Sequence, residues 1–167
     1  MDRALDATLL HTLRVRLLQD YPGQLNACLD ALDDEQLWWR PNEQANAAGN
    51  LVLHLAGSNM YYLGDAIGGR AWQRDRDAEF ARRGGASKAD VRQVWDDAQA
   101  VVAEVLNGLQ PSQLTETTER TGKTTTFAQI LLHVSHHNAM HLGQLLWITK
   151  LVRPGVLNDL GRTMRQR

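Results

Sequence analysis

Cysteine is almost missing from this 167-residue chain. Cys28 stands alone, which excludes a disulfide framework and a thiolate metal cluster. It lies in an apolar helical pattern and reads as a small core residue. Long hydrophobic runs are missing too: no stretch approaches the ~18–20 residues that span a membrane. Nor does one sign of charge dominate. The formal net charge is −1, and the basic clusters Arg70–Arg83 and Arg162–Arg167 are interleaved with acids or lie at the chain end. Without a basic stripe to neutralise phosphates, nucleic acid is not an expected partner. The N-terminal stretch MDRALDATLLHTLRVRLL carries acids and arginines through its apolar pattern, so it does not read as a signal peptide. What remains is the expectation of a soluble, cytoplasmic protein without a membrane partner. Its length suits one domain over residues 1–167 with a proper core.

The stretch from Phe127 to Leu151 contains His133, His136, His137 and His141, four of the six histidines. Phe127, Ile130, Val134, His137, His141, Gln144, Ile148 and Leu151 recur alternately three and four apart, the inward seam of a bundle helix. The seam is apolar at its ends and polar in its middle. Three adjacent polar side chains there cost about a few kcal/mol unless something satisfies them. His137 and His141, at i and i+4, sit about 6 Å apart at Cβ and can reach one ion. Zn–N bonds of about 2.0–2.1 Å suit that spacing, as do those of other first-row metals. The competing reading makes each histidine a hydrogen-bonded core residue.

Taken in order, the rest of the chain supplies three more helices. Residues 4–32 repeat leucines at helical spacing, with a kink or short break expected at Pro22-Gly23. His11 falls on the outer face. Residues 33–50 form a connection in which Trp38 and Trp39 either cover one end of the core or wall a pocket. A second helix, capped by Asn50 or a residue just before it, runs to about Gly68. Its inward face is Leu51, His54, Ser58, Tyr61 and Asp65. Gly68 to Gly85 is polar and bracketed by glycine pairs. It is either a solvated link between two antiparallel helices or a rim over a site, with Trp72 and Phe80 folded back. Ser87 and Asp90 form a capping box for a third helix whose core face, Val91 to Leu109, carries no histidine and is scaffold. A second connection, residues 110–126, has turn character and room for a small hairpin around Thr121-Gly122-Lys123. Thr125 or Thr126 caps the last helix. The pattern predicts an all-α, up-down four-helix bundle with two longer connections, a fold that builds metal sites between facing helices.

Two histidines do not make a site. His133 and His141 lie about 12 Å apart along the axis, so a complete site needs a ligand from another helix. His54 is the best candidate, since Asp65 lies about 16 Å further along the same face. His133 borders the seam as an outer-shell partner, a proton shuttle or a structural histidine, of which the structural role is favoured. His136 points away from the seam.

These residues resemble the DinB-like family of four-helix-bundle proteins. The resemblance is carried by LWWRPNEQANAAGNLVLHLAG at Leu37 to Gly57 and HVSHHNAMHLGQ at His133 to Gln144, and it covers nearly the whole chain. It is similar above all to a subgroup of uncharacterised bacterial proteins. The resemblance implies a divalent ion (zinc, nickel or manganese) held by His54, His137 and His141. It also implies a homodimer, and a low-molecular-weight thiol used in thiol-S-transferase or thiol-dependent isomerase chemistry. Many members carry an arginine directly after the last metal histidine. Here that position is Leu142, which removes an arginine contact to substrate and leaves the ligands intact.

Three neutral imidazoles leave a divalent ion positive and coordinatively open, the pattern of a catalytic site. The reading is a metal-dependent enzyme acting on small molecules, of thiol-S-transferase type, with its catalytic residues unassigned. The alternative is a non-enzymatic, metal-binding stress protein whose ion is structural. An enzyme should show an open cavity above the ion, walled by residues such as Trp38, Trp72 or Tyr62. A plain core should show the imidazoles bonded to carbonyls or hydroxyls.

Overall fold

The computed structural model describes residues 3–158 and 160. The basic cluster Arg162–Arg167 lies outside the described residues. Helix α1 (Arg3–Val15) and helix α2 (Tyr21–Ala31) form one rod, joined by a π-helical turn over Arg16–Asp20. The expected break at Pro22-Gly23 does not occur. Pro22 falls in the first turn of α2, where its missing N–H is tolerated, and the wider turn lets the Tyr21 N–H donate to the Arg16 carbonyl. A short helix α3 (Asp34–Leu37) follows, boxed by Asp33 and Gln36. Trp38 then folds over the end of the core. Its indole N–H donates to the Ala86 carbonyl at 2.7 Å, and its ring lies flat against Gly49.

Helix α4 (Ala48–Asn59) continues into π-helical turns over Met60–Ile67. Asn50 is not its cap. It sits one turn inside, and its Oδ1 accepts the Ala47 N–H at 3.1 Å. Next come helix α5 (Arg76–Ala81) and helix α6 (Lys88–Gly108). The Ser87–Asp90 box starts α6 as expected. A 3₁₀ turn at Pro111–Thr115 leads to a hairpin of β1 (Thr117–Thr118) and β2 (Thr125–Thr126), antiparallel with Thr117 opposite Thr126. Its turn needs Gly122 at φ +83°, a value few side chains tolerate. Thr126 caps helix α7 (Phe127–Val152) by accepting the Gln129 N–H at 3.2 Å.

The four long helices form the expected all-α bundle, but the up-down order is not what the contacts trace. Gly64, in the π-helical turns that continue α4, faces Val101 of α6, and Gly68 at their end faces Val105, so α4 and α6 run in the same direction. Arg14 donates to the carbonyls of Leu106 and Leu109, while Arg92 pairs with Asp30, so α6 opposes the first rod. Tyr62 meets His133 while His54 meets His141, so α7 opposes α4. The order is up, down, down, up. The physical reason is the connection between α4 and α6. It runs back along the whole of α4, about 30 Å for 20 helical residues, which a tight link between antiparallel helices would not need.

This connection, residues 68–87, is therefore a strap and not a solvated loop. Asn50 Nδ2 donates to the carbonyls of Glu79 and Arg82, both at 2.9 Å, and fastens α5 against α4. The core divides into two apolar clusters. One is built on Leu29, Leu55, Trp95 and Leu145, the other on Leu17, Leu63, Leu106 and Leu131. The histidines lie between these levels, on the α4–α7 flank.

Candidate metal centre

The inward stripe of α7 differs from the seam read in the sequence. Ile130, Val134, Asn138, Leu142, Leu145 and Thr149 are buried, whereas Gln144 and Leu151 are exposed. A repeat of 3.5 drifts against a 3.6-residue helix by about 20° per heptad. His137 and His141 consequently lie half-buried at the edge of the stripe, facing α4. His54 projects from α4 into the same gap and is 3% exposed.

The three imidazoles converge. One ring nitrogen from each of His54, His137 and His141 lies within 4.8 Å of the others. Among the described residues, this is the group of three or more histidine, cysteine or acidic side chains able to hold an ion. Nε2 of His54 and Nε2 of His137 are 3.0 Å apart. The ring centroids of His137 and His141 are 4.6 Å apart, and those of His54 and His141 4.8 Å.

The other ring nitrogens show why those face inward. Nδ1 of His54 lies 2.8 Å from Glu79 Oε2, to which it can only donate, and 3.0 Å from Nη2 of Arg74, which bonds the same carboxylate oxygen. Nδ1 of His141 donates to Gln144 Oε1 at 3.0 Å. Nδ1 of His137 stands 3.5 Å from the Ser58 hydroxyl. Nδ1 of His54 and of His141 is engaged outward, which turns Nε2 of each toward the centre, while the Ser58 hydroxyl can donate or accept and sets no tautomer for His137. A plain core would satisfy both nitrogens of each ring with fixed donors and acceptors. Here two Nε2 atoms face each other at hydrogen-bond distance, an arrangement that calls for a shared proton or a cation. Ligands on a tetrahedral zinc at about 2.0–2.1 Å lie about 3.3 Å from one another; the His54–His137 pair at 3.0 Å is near that value, and the full set, within 4.8 Å, would draw together around an ion. The donor set fits a divalent ion.

Electrostatics point the same way. Burial drives the His137 pKa down to about 3, and His141, His54, His133 and Arg74 add to the effect. Burial also lowers His141, against the opposing hydrogen bond to Gln144, with His54 and Arg76 adding to the depression. Neutral imidazoles are the form that binds a metal.

Two residues of the site come from the strap and were not identified in the sequence. Glu79 orients His54, and Arg74 clamps Glu79 through Nε to Oε1 at 2.7 Å and Nη2 to Oε2 at 2.8 Å. Burial raises the Glu79 carboxyl, but the bonds from His54 and Arg74 outweigh it and hold the pKa below the ordinary value. A carboxylate fixing a histidine from behind is the usual outer support of a metal ligand. Glu79 lies on the far side of the ring from Nε2, so it supports His54 and is not placed as a fourth ligand. Phe80 covers His54 at 4.5 Å between centroids, and the Arg76 guanidinium stands 5.1 Å above Phe80. The signal available in the sequence was the length of the connection, too great for a simple turn.

Of the expected cavity walls, Tyr62 does lie beside the site. It packs edge-on to His133 at 4.7 Å, and His133 stacks on His137 at 5.8 Å. Trp38 is turned into the core end, and Trp72 lines a different cleft between α4 and α6. His133 and His136 are exposed, and His11 lies on the outer face of α1. Asp65 stands away from the centre and pairs with Arg120 at 2.6 Å, holding the hairpin against α4.

Residues 6–161 match the model of a family described as a protein of unknown function, DUF1572. No curated protein matches the chain in sequence. In three dimensions the chain is similar to a DinB-like protein of Bacillus subtilis, YjoA, at 16% identity and a TM-score of 0.64, over 86% of this chain and 94% of that one. It is also similar to a DinB-like protein of Bacillus cereus at 16% identity and a TM-score of 0.62, over 81% and 89% of the two chains. A conserved protein of Enterococcus faecalis aligns at 15% identity and a TM-score of 0.60, over 89% and 95%. At such identities the likeness establishes the fold.

Proposed function

Since the chain belongs to the DUF1572 family of unknown function and has a DinB-like fold, we propose that it is a divalent-metal-dependent enzyme acting on small molecules. The reaction class is thiol-S-transfer, in which a low-molecular-weight thiol displaces a leaving group from an electrophile. The metal is held by His54, His137 and His141 and is zinc, nickel or manganese. The observation that carries the reading is the convergence of one ring nitrogen from each of His54, His137 and His141 within 4.8 Å, with Nδ1 of His54 and His141 turned to outward partners.

When bound, such an ion supplies Lewis acidity and lowers the pKa of a coordinated thiol or water. The chain does the rest. Glu79 and Gln144 fix the orientation of the His54 and His141 rings, and Ser58 stands beside Nδ1 of His137. Phe80 shields His54 from water on the strap side. Three neutral ligands leave the centre positive and a position free for the thiol. The carboxylate nearest the centre, Glu79, is committed to His54 and Arg74 and is a poor general base. A thiol needs no such base once its pKa is lowered, which favours thiol transfer over hydrolysis. The functional unit is taken to be a homodimer in the cytoplasm. No helix of the described residues is long and apolar enough to cross a membrane.

Metal content by plasma mass spectrometry, on wild type beside His54→Ala and His137→Ala, tests the centre. Near-stoichiometric metal in wild type that is lost in both variants supports it. Metal retained in His54→Ala sinks the shared site. Turnover of a chromogenic electrophile with small thiols, present in the loaded protein and absent after chelation, then separates an enzyme from a structural metal site.

A further inference from the structure

We propose that the cleft enclosed by α4, α6 and the strap is a second binding site, which takes a small, neutral, apolar molecule. The cavity measures about 540 Å³, inside the range of small-molecule pockets. It opens on the flank of α4 away from α7. Leu53, Ala56 and Met60 form its floor, and Val94, Ala98 and Val101 of α6 form one wall. The strap closes the other side through Trp72, Arg74 and Ala78.

The space exists because small residues meet there. Ala56, Gly57, Ala78 and Ala98 stand where α4, α5 and α6 approach one another, and larger side chains would fill the gap. Two large apolar side chains remain uncovered at the mouth, Trp72 at 42% and Val94 at 46% exposure. Apolar surface around a mostly apolar hollow rewards a ligand that covers it with hydrophobic burial.

The walls also define the ligand's charge. Arg74 is paired with Glu79. Asp75 accepts the Ala78 N–H at 2.9 Å, and Asp97 accepts from the Gln93 amide at 2.8 Å. Arg82, at the rim, lies close enough to Asp90 of the α6 cap to lower its pKa, after the larger effect of the Ser87 hydrogen bonds. The lining holds two arginines and three carboxylates, so neither sign of charge dominates the hollow. A cavity of this size under a strap suits a compact molecule and is too confined for a polypeptide segment. It meets the histidine centre through the Arg74–Glu79 pair, so the two sites share a wall.

The test is titration of chelator-treated protein with N-phenyl-1-naphthylamine, a neutral probe that fluoresces in apolar surroundings. Without metal, the outcome does not depend on the proposed catalysis. Saturable binding of one probe per chain is expected, weakened at least about tenfold, or about 1.4 kcal/mol, in Val94→Glu and in Trp72→Ala. Both positions are exposed, so the fold should tolerate these changes, and circular dichroism checks it. Trp147→Asp, on the far flank, should bind as wild type does. No saturable binding overturns the proposal. So does binding that survives Val94→Glu and Trp72→Ala.

Discussion

Gly57 stands where any side chain would strike the Glu79 carboxylate: a Cβ built there falls far inside contact distance of Oε1. Glu79 in turn holds Nδ1 of His54 at 2.8 Å. One missing side chain on α4 thus gives the strap its access to a proposed metal ligand. Gly57→Ala should weaken metal binding and stability together. The flexible end of Glu79 can move aside, but it then gives up its bonds to His54 and Arg74, which outweighs the up to about 1 kcal/mol by which alanine favours the helix over glycine. The melting temperature of the metal-free protein should fall. Metal affinity should fall about 10–100-fold as His54 loses its orienting carboxylate. Competition with a fluorescent chelator measures it, and unchanged affinity would rule out the supporting role of Glu79.

Acid should destabilise the metal-free protein through the same cluster. His137 is held at about 3 against an ordinary 6.5, chiefly by burial. His141 is lowered as well, again chiefly by burial. The unfolded chain therefore binds protons before the folded chain does. Stability should be full above about pH 6.5 and decline as the pH falls toward 3. Thermal melts from pH 7.5 to 4.5 would show the slope, and His137→Gln should flatten it. An equal slope in the variant would mean that other groups carry the acid sensitivity.

How much of this was legible in the sequence follows from how local each feature is. The i, i+4 pair of His137 and His141 is written into one helix, and His54 shares the inward face of another, so a period count finds all three. The caps at Ser87 and Thr126 are equally local. The direction of α6 is not. It depends on whether residues 68–87 turn back or cross over, a tertiary choice that local propensity does not register. Glu79 and Arg74 were hidden for that reason: in a charged connection, any acid and any arginine look solvated until the strap is laid along α4. The drift of the α7 seam, which leaves Gln144 exposed, arises because the 3.5 spacing was extended through seven turns of a 3.6-residue helix.

Cys28 should take no part in thiol chemistry. It is fully buried, and burial lifts its thiol to about 11, only partly offset by a hydrogen bond to Thr149 and the charge of Lys150. A thiol reagent such as dithionitrobenzoate should leave native protein unmodified at pH 8 and react with one equivalent in guanidinium. Cys28→Ala should retain whatever thiol-dependent turnover the wild type has. Rapid native labelling would instead mark Cys28 as reachable and reopen its role.

The outer face of α7 bears on the proposed dimer. Leu132, Met140, Trp147 and Leu151 are exposed at 49%, 47%, 58% and 47%. With His136 and Gly143 between them, they follow steps of three and four and form a single stripe. Nothing crowds Gly143, so another helix could approach closely there. The stripe is about 28 Å long. A helix face of that length is narrow beside the about 800 Å² per partner of a standard interface, so neighbouring surface must add to it. The expected outcome is a dimer that dissociates on dilution, not an obligate one. Sedimentation velocity across a concentration series should show the shift. Trp147→Asp should move the protein to monomer while leaving metal content unchanged, because Trp147 points away from the histidines. A variant that stays dimeric would place the interface on another face, and wild type that is monomeric at every concentration would remove the dimer altogether.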